Sequence, residues 1–197
     1  MRRPFYKNTL SECDNVREEN THIIKKVLEG MKRLGISLIE IPLVDSSSLQ
    51  SEFEKEAFRK WLQQIVEDTD NSIYFALETD LNPHEFSEYL KKFHSGRVGA
   101  NYDSGNSSGI GYDPYEEVIT LKDHIFNIHI KDRIYHGPTV ELGTGDADFE
   151  KLFRGLKEIG YRHNFILQAA RGNDGEEEIH ISNQMGFAKR YLKKYDI

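Results

Sequence analysis

The stretch Ile73-Tyr74-Phe75-Ala76-Leu77-Glu78, with Asn82-Pro83-His84-Glu85 shortly after it, decides the fold class. The first run is short, apolar and aromatic, and it ends on a carboxylate, which is typical of a buried strand. The second run has Asn before Pro and Glu at the third helical position, a combination that begins helices. A strand followed at once by a capped helix predicts one βα unit.

The same unit recurs on both sides of this stretch. Downstream, Val98-Gly99-Ala100-Asn101-Tyr102 predicts a strand, and Asp113-Pro114-Tyr115-Glu116 begins a helix after a glycine-rich loop. Upstream, residues 36–44 predict a strand that ends at Pro42, and apolar spacing predicts helices at 14–34, 53–66, 86–93, 148–159 and 176–195. With further strands at 125–130 and 165–167, five strands alternate with helices. The sequence therefore predicts the α/β class with a parallel sheet.

Composition limits the functional classes. The chain has 197 residues, 26 basic and 33 acidic side chains, and a formal net charge of −7. No basic excess is present for nucleic acid, and no window approaches the 18 consecutive apolar residues of a membrane span. We therefore expect no nucleic-acid or membrane partner. No linker divides the chain, so we expect a single domain over residues 1–197.

Cysteine content and the first residues indicate the compartment. The single cysteine, Cys13, cannot form an internal disulfide, which suits a reducing environment. The opening residues 1–5 lack the apolar run of a signal peptide. We expect a cytoplasmic protein.

Four polar residues lie at the carboxyl ends of successive predicted strands: Glu78, Asp103, His129 and Gln168. Each alone is more often a helix cap, a surface charge or a hydrogen-bonded core residue. Their recurrence at equivalent strand ends favours a common site, because α/β folds place their sites there. Two carboxylates, an imidazole and a carbonyl oxygen suit a hard or borderline divalent cation.

Side-chain alternation supports this interpretation. In Ile125-Phe126-Asn127-Ile128-His129-Ile130-Lys131, the polar residues share one face, which the interior of a barrel would take. By the same alternation, Tyr74, Ala76 and Glu78 share a face, and Leu38 shares one with Glu40.

Several segments resemble a known superfamily. They are Phe75-Ala76-Leu77-Glu78-Thr79, Tyr102-Asp103-Ser104-Gly105-Asn106, Ile128-His129-Ile130-Lys131-Asp132 and Gly143-Thr144-Gly145-Asp146-Ala147-Asp148-Phe149. In order and spacing they resemble the xylose-isomerase-like sugar phosphate isomerase/epimerase superfamily. The opening Arg2-Arg3-Pro4-Phe5, with Leu34-Gly35-Ile36, resembles its hexulose-6-phosphate isomerase and xylulose-5-phosphate 3-epimerase branch.

The resemblance implies an incomplete TIM barrel. The family fold is a (β/α)8 barrel of roughly 250 residues, and five βα units of this chain match its fourth to eighth strands. The first three units are absent, so two sheet edges need a cover. The N-terminal residues or a homo-oligomer would supply it, or the chain is a truncated product whose upstream reading frame encodes the missing units.

The resemblance also implies a function. It predicts an isomerase or epimerase that acts on a sugar or sugar phosphate through an enediolate, with one divalent ion of Mn, Co, Mg or Zn. Glu78, Asp103, His129 and Gln168 would be the metal ligands, and Glu78 the base. Family members have Glu where this chain has Gln168, and an amide accepts no proton at neutral pH. Epimerisation is therefore more affected than isomerisation, and Glu40 is either a substitute base or a structural acceptor.

Other polar residues extend the predicted site. Lys131 and Arg171 would bind substrate phosphate unless they are solvated charges, and the amides of Gly143-Thr144-Gly145 would form an anion nest unless they only make a turn. Asp132 would either orient the imidazole of His129 or pair with Lys131.

Two other functions stay open at this point. A barrel remnant without activity would act as a binding module through its open side, and both the missing strands and Gln168 favour it. An abasic-site endonuclease of the same superfamily fold would need further metal ligands, which are not evident, and the charge of −7 disfavours it.

Overall fold

The computed structural model describes the backbone of residues 14–197 and the side chains from Glu18 onward. The opening residues 2–5 and Cys13, on which the branch resemblance and the compartment depend, lie outside the described residues. The helices are α1 (Asp14–Leu34), α2 (Glu52–Asp68), α3 (Pro83–Lys91), α4 (Ser104–Ile110), α5 (Pro114–Leu121), α6 (Phe149–Glu158) and α7 (Glu177–Tyr195). The strands are β1 (Leu38–Leu43), β2 (Tyr74–Thr79), β3 (Val98–Asp103), β4 (Ile125–Ile130), β5 (Asp132–Arg133), β6 (Thr139–Val140) and β7 (Asn164–Leu167).

Five of these strands form a parallel sheet in the order β1-β2-β3-β4-β7. Helices follow the strands along the chain, so the predicted α/β class is confirmed. The two short strands β5 and β6 pair separately as an antiparallel ribbon, which the sequence pattern did not predict. None of the helices in residues 14–197 combines the length and apolarity needed to cross a bilayer.

The described chain forms two compact units. The first comprises the described residues up to Asp80 together with Glu88–Gly99, and the second comprises Leu81–Ser87 and Ala100–Ile197. The single domain expected over residues 1–197 stays a prediction.

In the first unit, helix α2 is fixed at both ends. At its start, the Ser51 hydroxyl accepts from the Glu54 backbone N–H at 3.2 Å, while the Glu54 carboxylate accepts from the Ser51 N–H at 3.1 Å. This reciprocal pair satisfies donors that a helix start leaves open. At its end, the Arg97 guanidinium donates to the carbonyl oxygens of Val66 and Thr69, where a cation also complements the helix dipole. The helix buries Phe58, Leu62, Ile65 and Val66.

Strand β1 continues one residue past Pro42, the residue predicted to end it. Pro42 lies opposite Glu78 of β2, and β1 is the first strand in the sheet order. An edge strand has one side without ladder bonds, so the missing N–H of a proline is tolerated there.

In the second unit, the predicted glycine-rich loop after β3 is helix α4. Asp103 caps it, because its carboxylate accepts from the Asn106 N–H at 2.8 Å. Gly111 ends it at φ 83°, a left-handed conformation that favours glycine. Loop composition alone was misleading, since serine and glycine are weak helix formers that packing overrides here.

Aromatic packing holds the last helix in the second unit. Phe187 and Tyr191 of α7 lie 5.0 and 5.8 Å, centroid to centroid, from the ring of Phe149 in α6. Phe153 stacks on Tyr191 at 5.2 Å and on Phe165 of β7 at 6.0 Å. The cluster anchors β7 and α7 against α6.

Candidate metal centre

Two glutamates lie on one face of the strand pair in the first unit. Glu40 of β1 lies opposite Ala76, and Glu78 stands two residues further along β2. Residues two apart in a strand face the same side, so both carboxylates project from the same face, as alternation predicted. Glu78 is only 5% exposed and stands next to the last residue of its strand, whereas Glu40 is half-buried and the third of six residues in its strand.

A buried polar layer covers the same end of β3 and β4 in the second unit. Asp103 and His129 are register partners, and Asp103 Oδ2 lies 3.7 Å from His129 Nδ1. Their side chains are 1% and 7% exposed. The carboxylate and imidazole that the sequence predicted on neighbouring strands therefore lie side by side, away from solvent.

Two asparagines extend this layer along the strands. Asn101 Nδ2 lies 3.2 Å from His129 Nδ1, and Asn127 Nδ2 donates to Asn101 Oδ1 at 2.7 Å. The chain of amides holds the imidazole ring in place. Asn127 Oδ1 is buried without a hydrogen-bond partner among the described residues, which is costly for a carbonyl oxygen.

Gln168 and Arg171 follow β7 and are both exposed. The backbone N–H of Gln168 donates to Ile130 O at 3.0 Å, which places Gln168 beside the end of β4. Arg171 pairs with Asp174 at 2.8 Å, and its side chain is 84% exposed. The described contacts do not bring Arg171 to Asp103 or His129, and its role in phosphate binding stays a prediction.

Lys131 and Arg133 continue the polar face of β4. Lys131 Nζ lies 3.4 Å from Asp103 Oδ2 and donates to Asn106 Oδ1 at 3.0 Å. Arg133 Nη1 donates to the same Asn106 oxygen at 3.1 Å. Sequence reasoning selected Lys131 but missed Arg133, although residues 129, 131 and 133 alternate on one face.

The predicted anion nest already holds a carboxylate of the chain itself. The Asp132 carboxylate accepts from the backbone N–H groups of Gly143, Gly145 and Ala147 at 2.8, 3.0 and 3.0 Å. Asp132 is fully buried. The nest for a substrate phosphate is therefore wrong, and so are both predicted partners of Asp132, since its oxygens face this turn.

A buried acid lies behind α4. Glu117 of α5 is 7% exposed and accepts hydrogen bonds from the hydroxyls of Tyr102 and Ser107. Burial raises the pKa of Glu117 to about 7, more strongly than the two hydroxyl donors lower it. No sequence signal pointed to this residue, because its position resembles the exposed acids of a helix start.

A cavity of about 370 Å³ opens on another face of α4. Its lining includes three serines of the helix and four charged residues: Ser104, Ser107, Ser108, Asp113, Asp146, Asp148 and Lys151. Lys151 is paired with Asp113 at 2.6 Å. The lining is therefore net negative and does not suit a phosphate.

Comparison with known proteins identifies the family. A family model described as a xylose isomerase-like TIM barrel matches residues 3–191. L-ribulose-5-phosphate 3-epimerase UlaE of Escherichia coli O1:K1 is 27% identical over 168 residues, which cover 80% of this chain and 58% of the relative. UlaE of Salmonella paratyphi A is 27% identical over 173 residues, with the same coverage of 80% and 58%. This chain thus spans little more than half the length of these relatives.

Solved structures agree on the fold. An L-ribulose 3-epimerase superposes with a TM-score of 0.82 at 15% identity, over 98% of this chain and 73% of that chain. An IolI protein with a bound zinc atom superposes with a TM-score of 0.81 at 20% identity, over 96% and 74%. At these identities the likeness shows the fold alone. The family model and the sheet together show that the chain belongs to the xylose isomerase-like TIM barrel family, of which it forms a partial barrel.

Proposed function

We propose that the protein is a divalent-metal-dependent isomerase or epimerase of a sugar or sugar phosphate. The observation that carries this proposal is the buried Asp103–His129 pair on the face of β3 and β4, in a chain of this family. The epimerase names of the relatives support the substrate class.

The donor set fits a hard or borderline cation. Glu40, Glu78 and His129 are donors of the kind that bind divalent metals, and Asp103 and the Gln168 carbonyl add two oxygens. The unsatisfied Asn127 Oδ1 on the same face of β4 indicates that this layer takes a further polar group. We propose Glu78, Asp103, His129 and Gln168 as ligands of one Mn, Co, Mg or Zn ion. The bound ion would polarise the substrate carbonyl.

The chain's own residues would then move the proton. Glu78 takes the proton from the carbon next to the carbonyl, which leaves an enediolate of the substrate. Returning the proton to the former carbonyl carbon, while the hydroxyl proton passes to the oxygen on that carbon, isomerises the sugar, and one carboxylate suffices for the carbon-bound proton. Returning it to the opposite face of the same carbon needs a second base, and Glu40 is the candidate, since Gln168 accepts no proton. Asn101 orients the imidazole of His129 through Nδ1.

We propose that the protein forms a homo-oligomer in which a second copy covers an open edge of the sheet. In the described part of the chain, β7 is hydrogen-bonded on one side only, to β4. On helix α7, Ile181 and Met185 are 54% and 43% exposed. In a dimer with a twofold axis, each copy would cover the free edge of β7 and the exposed face of α7 in the other copy.

The roles of Glu78 and His129 can be tested by substitution. The wild-type protein should retain close to one equivalent of metal per chain, measured by elemental mass spectrometry, and turn over ketoses or ketose phosphates. Glu78→Gln should lower turnover about a hundredfold or more, as expected for a lost general base. His129→Ala should lose the metal.

The control is Glu67→Gln, which removes an exposed carboxylate of α2 and should change neither property. Unchanged turnover in Glu78→Gln would rule out its role as base. Wild-type protein that binds no metal and turns over no sugar would favour the inactive binding module instead.

A further inference from the structure

Two cationic side chains of the second unit end on one atom. Lys131 Nζ and Arg133 Nη1 donate to the same oxygen, Asn106 Oδ1, at 3.0 and 3.1 Å. Both side chains are half-buried. Two positive charges that share one acceptor repel each other, and the repulsion is stronger where water is partly excluded. A single neutral acceptor holds them together.

Among their described partners, these two cations have a single carboxylate between them. Lys131 has one carboxylate nearby, Asp103 at 3.4 Å. The remaining Arg133 donors, Nε and Nη2, reach the Gly137 carbonyl at 3.2 and 3.0 Å. Within residues 18–197, Arg133 forms no ion pair. The half-buried guanidinium of Arg133 therefore bonds only to neutral acceptors. Its positive charge is left without a counter-charge among these partners, and an anion bound here would supply one.

Helix α4 is shaped to seat both side chains. A Cβ atom at Gly105 would lie 2.5 Å from Lys131 Cγ, and one at Gly109 would lie 3.2 Å from Arg133 Cζ. The two glycines are four residues apart and so lie on one face of the helix. A Cβ at Gly105 would force Lys131 to move and one at Gly109 would crowd Arg133, so the close approach of both cations depends on the small residues of this helix.

We infer that Lys131 and Arg133 bind the phosphate group of a phosphorylated substrate, and that Arg133 determines the preference for it over a free sugar. Arginine presents a planar fork of donors that matches two phosphate oxygens, and lysine adds a point charge. The anion would take the position that Asn106 Oδ1 holds between the two cations. Asp103, one proposed metal ligand, is 3.4 Å from Lys131, so the phosphate would lie beside the proposed metal centre. This inference rests on the proposed function for its substrate.

The test measures binding of inorganic phosphate to the full chain after removal of metal with a chelator, by isothermal titration calorimetry. Wild type should bind phosphate saturably, and Arg133→Gln should weaken the affinity at least tenfold, the loss expected for a charge-assisted hydrogen bond. Arg133→Lys, which keeps the charge but not the fork, should give an intermediate affinity. Arg190→Gln, on an exposed arginine of α7, should bind as wild type.

Circular dichroism and thermal unfolding verify that each variant is folded. Wild-type affinity in Arg133→Gln, or an equal loss in Arg190→Gln, would overturn the inference. With metal restored, Arg133→Gln should lower kcat/KM at least tenfold more for a ketose phosphate than for the free ketose. If phosphate binding depends on Arg133 but no sugar is turned over, the proposed function is wrong and this inference stands. If sugar is turned over but phosphate binding does not depend on Arg133, this inference is wrong and the proposed function stands.

Discussion

At the scale of single residues, the carboxyl group of Glu117 joins three elements by hydrogen bonds, and its protonation changes near neutral pH. Its carboxylate, on α5, accepts from Tyr102 of β3 and Ser107 of α4. Burial raises its pKa to about 7 from an ordinary value of 4.5, and the neighbouring acids Asp113 and Glu116 act in the same direction. The folded state therefore holds this proton more tightly than the unfolded state.

The linkage fixes the direction of a pH dependence. Stability from this group is fully present below pH 4.5 and is lost as pH rises to about 7. A shift of this size corresponds to roughly 3 kcal/mol at most. Glu117→Gln keeps the shape and removes the titration, so its free energy of unfolding should fall less than that of wild type between pH 5 and 7.5. Urea unfolding at several pH values measures this difference.

The control is Glu178→Gln, on an exposed acid of α7. It should follow wild type across the same range. A slope for Glu117→Gln that equals the wild-type slope would show that Glu117 ionises normally in the folded protein.

Some single residues were predictable and others were not. Alternation along β4 predicted that His129 and Lys131 share a face, because that property follows from strand geometry alone. The partners of Asp132 were not predictable, since they are backbone amides of a turn eleven to fifteen residues away. Such contacts depend on how a loop closes, which no local pattern encodes.

At the scale of elements, helix α4 shows a function for small residues that composition conceals. Its serine and glycine content predicted a loop, yet Asp103 caps it and Gly111 ends it. Gly105 and Gly109 face Lys131 and Arg133, and a side chain at either position would collide with them or crowd them. The small residues permit close approach rather than flexibility.

Gly105→Ala tests this interpretation. The new methyl group would lie 2.5 Å from Lys131 Cγ and would displace the lysine from Asn106 and Asp103. Overpacking of this kind costs about 1–3 kcal/mol, which exceeds the roughly 1 kcal/mol that alanine gains over glycine in a helix. We expect lower stability in thermal unfolding and weaker binding of inorganic phosphate.

Gly186→Ala is the matched control, because it lies in α7 with no atom within 4 Å of the new methyl group. It should stabilise the protein by about 0.5–1 kcal/mol and leave phosphate binding unchanged. Equal effects of the two substitutions would contradict the packing argument.

The elements with strong periodicity were the predictable ones. The spacing of Phe58, Leu62, Ile65 and Val66 predicted α2, and all four residues are buried in one stripe. The capping residues Asp113 and Asp148 likewise gave the starts of α5 and α6. The ribbon of β5 and β6 was missed because two-residue strands are too short to show alternation.

At the scale of the whole molecule, the chain spans 58% of the length of the epimerase relatives that it matches. Its parallel sheet has five strands. A complete barrel of this family type has eight strands and no edges. Ile166 of β7 is the register partner of His129, so it lies on the face that a closed barrel would enclose, yet it is 47% exposed. The predicted five-stranded parallel sheet was confirmed, but what covers its edges is not encoded in the pattern of any single strand.

The proposed homo-oligomer makes the exposed face of α7 the place to test. Ile181 and Met185 are one turn apart and 54% and 43% exposed, so they form an apolar stripe that a second copy would bury. Ile181→Glu puts a charge into that stripe and should raise the dimer dissociation constant at least tenfold in sedimentation velocity. Ser182→Glu adds the same charge to the neighbouring exposed position and should leave the constant unchanged. A wild-type protein that sediments as a monomer at high micromolar concentration would exclude self-association through α7, because burial of two large apolar side chains, about 1.5–3 kcal/mol each, would otherwise be detectable there.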